Sequence, residues 1–111
     1  LGTVAMYARD IDSCERLLRQ AESSGRSFGS LHIASNALNN LGYALMDAGR
    51  LSDARACMEE NLAILREQGN PLLIVWGLYA IHQIEYADGM YNESYAHAME
   101  GLRLVESTPH L

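Results

Sequence analysis

An all-α chain built from repeated helix pairs is what this sequence predicts, and three observations carry the prediction. Ala, Leu, Met, Arg and Glu together make up nearly half the chain and only two prolines occur, a composition that favours helix. Sliding the 111-residue sequence against itself by 40 residues, without gaps, aligns three copies of one pattern. A period of that length is the signature of a stacked helical array. Glycines recur in register with it, Gly29 with Gly69 and Gly49 with Gly89, where a chain leaving a helix needs the left-handed conformation.

The apolar register follows the same period. Leu1, Leu41 and Ile81 align, as do Ile11, Leu51 and Tyr91, and the small residues Cys14, Ala54 and Ser94. The expected helices run over about 1–8, 12–24, 31–48, 52–68, 71–87 and 91–107. The first pair turns at Arg9-Asp10, and Asp12 with Glu15 makes a capping box for the second helix. Ser30 and Asn70 supply side-chain oxygens to cap the third and fifth, and Pro71 enters the first turn of the fifth, where a missing amide costs little. The remaining hairpin turns fall at Gly49-Arg50 and Asp88-Gly89. In the middle copy Leu38, Leu41, Leu45, Leu51, Ala54, Met58, Leu62 and Leu65 recur at helical spacing and should form the seam. The domain reading is one repeat domain over 1–111, with repeats at about 1–29, 30–69 and 70–109, taken as part of a larger protein because Leu1 falls within a helical pattern.

With those residues in place, the run Leu41-Gly42 through Gly49, Ala54 and Met58 resembles the tetratricopeptide pattern. In that pattern Leu-Gly in a first helix meets a small residue in the second. The segment from Ala37 to Pro71 is similar to the longer repeats found C-terminal to the ATPase module of LuxR-type and SARP-type bacterial regulators. The resemblance implies antiparallel helix hairpins wound into a right-handed superhelix, here about two and a half repeats. It also implies a non-catalytic protein or peptide interaction scaffold, serving as the sensor segment of a transcriptional or signalling regulator. A stand-alone or motor-associated peptide adaptor is the alternative.

Charge and composition narrow the partners. A net charge of −6, with every one of the eight cations an arginine, argues against direct nucleic-acid binding, which needs clustered cations. No run approaches the roughly 18 apolar residues of a membrane span, and no secretory signal is present at the N-terminus. A cytoplasmic location is expected, with a protein, a peptide or neighbouring domains of the same chain as partner. Cys14 and Cys57 lack metal-ligand or disulfide-framework spacing, so no cofactor and no metal is expected.

Several motifs invite chemistry. Gly25-Arg26-Ser27-Phe28-Gly29 spells the GxSxG of a nucleophile elbow, but that motif works on a strand-to-helix turn, and here it joins two helices. Asn92-Glu93-Ser94 matches a glycosylation sequon, read instead as a helix start. His82 and His97 fall on the two helices of the last pair, with Glu85 or Glu93 as companions, and are read as core hydrogen-bonding residues. The chain is therefore not expected to be an enzyme.

The resemblance also implies where a ligand would sit, because tetratricopeptide arrays present their first helices on a concave face. Carried over by alignment, that face holds Asn36, Asn39, Asn40, Tyr43 and Met46, then Trp76, Tyr79, Gln83 and Tyr86, with Thr3, Met6 and Tyr7 at the start. Amides can satisfy an extended peptide backbone and aromatics can bury its side chains. These helices carry no arginine apart from Arg9 at the expected turn, so an acidic C-terminal peptide is a poor candidate. The helix over 72–86 is apolar nearly all round and needs cover on more than one side, from further repeats or by self-association.

Overall fold

A computed structural model describes the backbone of residues 2–27 and 29–109, with side chains from residue 11 onward within that range. Five helices follow one another: α1 (Gly2–Ser27), α2 (Leu31–Asp47), α3 (Leu51–Gln68), α4 (Pro71–Ala87) and α5 (Tyr91–Ser107). Each packs against the next, and α2 also touches α4. No strand occurs among the described residues.

The connections follow the expected chemistry. Gly29, Gly49, Gly69 and Gly89 all hold φ between 74 and 82°, a conformation that side-chain-bearing residues rarely adopt. Ser30 Oγ accepts from the Ile33 amide at 3.4 Å and Asn70 Oδ1 from the Leu72 amide at 3.0 Å, satisfying donors that a helix start leaves free. Leu38, Leu41, Leu45, Ala54, Met58, Leu62 and Leu65 are buried, as the seam requires, while Leu51 is half-buried at the turn.

One expected turn is not made. The chain continues through Arg9-Asp10 as a single helix from Gly2 to Ser27, so there is no separate helix over 12–24 and no hairpin in the first repeat. The physical difference is glycine: the turns at Gly49 and Gly89 each use φ near 80°, and neither Arg9 nor Asp10 adopts such an angle at comparable cost. The Asp12–Glu15 capping box is lost with the turn. Both carboxylates instead face Arg50, Glu15 at 3.0 Å and Asp12 at 3.8 Å, tying α1 to the turn between α2 and α3.

Close approaches between helices occur at glycine. A Cβ on Gly77 would come within 2.8 Å of Leu65 Cδ1 and 3.2 Å of Leu62 Cδ1, so α4 rides directly on the two leucines of α3. A Cβ on Gly42 would first meet the thioether end of Met58, at 2.6–3.1 Å. Beneath these contacts the buried hydroxyl of Ser35 donates to Asn61 Oδ1, linking α2 to α3 through the core.

Candidate functional site

Residues 40 apart in sequence stand side by side across α2 and α4. Tyr43 Oη donates to Gln83 Oε1 at 3.2 Å, so the repeat period has become a lateral contact. On α4, Trp76, Tyr79 and Gln83 share one stripe at i, i+3 and i+7, facing the stripe of Asn36, Asn39 and Tyr43 on α2. Between them lies a cleft of about 550 Å³ lined by Asn39, Tyr43, Val75, Trp76 and Tyr79. Trp76 is 67% exposed and Tyr79 58%, so neither ring is consumed by packing among the described residues. Burial, with the neighbouring Tyr79 phenol, holds the Tyr43 phenol above its ordinary value. It therefore stays protonated, and a hydrogen-bond donor, through the neutral range.

The structure gathers only part of the expected face into this cleft. Asn39, Tyr43, Trp76 and Tyr79 line it, and Gln83 closes one side through its bond to Tyr43. Asn36 and Asn40 are exposed beside it, and the Asn36 amide pairs with His32 Nε2 at 3.5 Å. Met46 is half-buried against the core. Tyr86 belongs elsewhere: its ring meets Tyr91 edge-on at 5.2 Å, in a second hollow shared with Ser94, Tyr95 and Ala98. Thr3, Met6 and Tyr7 lie outside the residues whose side chains are described. Val75 was not anticipated as a wall of the cleft, and its position one residue before Trp76 on an almost wholly apolar helix gave no periodic signal. Tyr91 and Tyr95 were also missed, although their i, i+4 spacing puts them on one face of α5.

The motifs with catalytic or metal-binding resonance each have a definite place in the packing. Gly25 sits where a Cβ would meet the Ala34 nitrogen and the Ser30 carbonyl oxygen, each at 2.9 Å, and Gly29 holds φ 74°. The two glycines of GxSxG thus allow α2 to leave α1 at close range, and Ser27 ends α1 in an exposed position. Asn92 does not cap α5, whose N-cap residue is Met90 with no side-chain cap; Ser94 Oγ instead donates to the His82 carbonyl at 2.8 Å. His97 Nδ1 lies 2.7 Å from Oε1 of Glu85, a carboxyl group that is buried, while the His82 ring sits 5.4 Å from that of Tyr79, tilted by 57°. Among the described residues no three His, Cys, Asp or Glu side chains converge as metal ligands. A larger depression of about 720 Å³ along α5 passes Glu100, Arg103 and Leu104, but it is open to solvent and Glu100 is engaged by Arg66 at 2.5 and 2.9 Å.

No protein-family model, no curated protein and no solved structure matches this chain. Among the described residues no helix is long and apolar enough to cross a membrane.

Proposed function

We propose that this chain is a non-catalytic interaction scaffold of tetratricopeptide type, and that the cleft between α2 and α4 receives a side chain of an extended peptide or partner protein. The observation that carries this reading is the exposure of Trp76 and Tyr79 opposite Asn39 and Tyr43. Exposed rigid aromatics around a concave, partly polar seat are what interface anchors use. The lining offers amide, phenol, indole and isopropyl groups, with no acid and base paired for proton transfer. In this reading the helix pairs wind as a right-handed superhelix, and the chain works as the sensor segment of a bacterial regulator, occupancy of the cleft shifting contacts to adjoining domains. That last step rests on the similarity of Ala37 to Pro71 to the repeats of such regulators.

The test uses Trp76 as reporter, since it is the single tryptophan of the chain. Linear heptapeptides selected from a randomised library should change its fluorescence on binding, and Trp76→Ala or Tyr79→Ala should weaken them at least tenfold by calorimetry while leaving helicity intact. Selected peptides that bind both variants as tightly as the parent chain would overturn the assignment of the cleft. An upstream phosphate-binding loop and a downstream helix-turn-helix in the full gene support the regulator, and a gene lacking both removes it.

A further inference from the structure

Resting on the peptide-groove reading, we propose that the cleft seats an arginine side chain of the partner peptide. Three aromatic residues, Tyr43, Trp76 and Tyr79, surround it together with Asn39 and Val75. No lining residue is charged, and neither α2 nor α4 contains a single arginine; the chain has no lysine. The described arginines lie on α1, α3, α5 or the turn before α3, and Arg19, Arg26, Arg50 and Arg66 are paired with carboxylates there. A cation entering the cleft therefore meets no like charge on its walls, and it approaches a chain of net charge −6. A carboxylate entering the same cleft finds no counter-charge.

The hydrogen-bonding pattern narrows the cation further. The Tyr43 hydroxyl spends its hydrogen on Gln83, which leaves lone pairs on Oη as what it can offer a ligand. Asn39 adds a side-chain carbonyl oxygen. A guanidinium group is donor-only and planar, so it can stack on an indole or phenol face while donating at its edge to these acceptors. The lysine ammonium is compact and more strongly hydrated, and it gives up more on entering such a site. An aliphatic side chain would use the rings but cover the Asn39 carbonyl oxygen without offering it a donor.

Three probes decide the matter: the peptide Ac-Gly-Gly-Arg-Gly-Gly-amide, the same peptide with citrulline in place of arginine, and the same with norleucine. Citrulline keeps the length and planarity of arginine and removes its charge. Titration against Trp76 fluorescence should give an arginine peptide at least about fivefold tighter than either neutral one, within the range that ring–cation attraction supplies. Tyr79→Leu, checked for helicity, should reduce that preference. Agmatine, a free guanidinium compound, should bind more weakly than the arginine peptide; equal binding would overturn a peptide source. Citrulline or norleucine bound as tightly as arginine overturns the cation while leaving the groove in place, and no binding by any of the three overturns the arginine seat, the groove then standing or falling on the heptapeptide selection.

Discussion

Replacing Gly25 with alanine should destabilise the corner between α1 and α2, although alanine is the better helix former. The gain expected from helix propensity is at most about 1 kcal/mol. Against it stands the geometry: the added methyl would lie 2.9 Å from the Ala34 nitrogen, 2.9 Å from the Ser30 carbonyl oxygen and 3.1 Å from Ile33 Cβ. Two of those atoms are backbone in the first turn of α2, and the Ser30 amide is itself bonded to the Gly25 carbonyl at 2.6 Å. No rotamer change can relieve the overlap, so α1 must move away from α2 by a few tenths of an ångström or more. Because two of the overlapping atoms are fixed backbone, the cost falls in the upper part of the overpacking range, about 2–3 kcal/mol, leaving a net loss of about 1–2 kcal/mol. At about 4–8 °C per kcal/mol for a domain of this size, the midpoint should fall visibly. Gly42→Ala is the control, because its methyl would meet the thioether of Met58, a flexible side chain that can swing aside. Urea unfolding followed by circular dichroism at 222 nm should rank Gly42→Ala at least about 1 kcal/mol above Gly25→Ala. A Gly25→Ala chain as stable as the parent would refute the close packing of this corner.

Three further outcomes are expected. His97→Leu removes the partner of the buried Glu85 carboxyl and should cost about 1–3 kcal/mol, with part of the loss recovered in the Glu85→Leu, His97→Leu double variant, measured by the same unfolding assay. The Arg66 hydrogen bond holds the Glu100 carboxyl below its ordinary value. Its stabilisation is therefore fully present above the unfolded-state value near 4.5 and lost as pH falls through the lower folded-state one. Solvent screening limits it to a few tenths of a kcal/mol, about the size seen for exposed pairs, so Arg66→Met should flatten the acid limb of a stability–pH curve slightly and leave the alkaline limb unchanged. Burial pushes the Cys57 thiol up, with Arg19 opposing, and its side chain is inaccessible; iodoacetamide should label the native chain at Cys14 at least about tenfold faster than at Cys57, read by peptide mass mapping, with the difference vanishing in urea.

The sequence foretold the fold where local chemistry and periodicity agreed. Gly49, Gly69 and Gly89 each end a helix, Ser30 and Asn70 each begin one, and the helices from Leu31 to Ser107 start and stop within a residue of their expected bounds. It misled at Arg9-Asp10, because alignment with Gly49 and Gly89 suggested a turn that the local residues do not encode. The cleft was legible in outline for a related reason: the period that aligns Asn39 with Tyr79 and Tyr43 with Gln83 also sets them side by side. What periodicity could not rank was how far each residue sits from the neighbouring helix. Tyr86 shares the stripe of Tyr79 and Gln83, yet it lies near the end of α4, where its ring meets that of Tyr91. Val75 lines the cleft beside Trp76, a depth of packing that no single-helix pattern reveals.

The leucines that receive Gly77 have counterparts one period on. Leu62 and Leu65 are 6% exposed beneath α4, whereas Leu102 and Val105 on α5 are 48% and 44% exposed. Because each helix leans almost wholly on its neighbours in sequence, cohesion passes along the chain like that of links rather than through a common centre. Such a molecule can open one helix pair at a time rather than all at once. Hydrogen exchange would then register a gradient of protection along the array rather than one global event, and short-range contacts of this kind favour folding in microseconds to milliseconds.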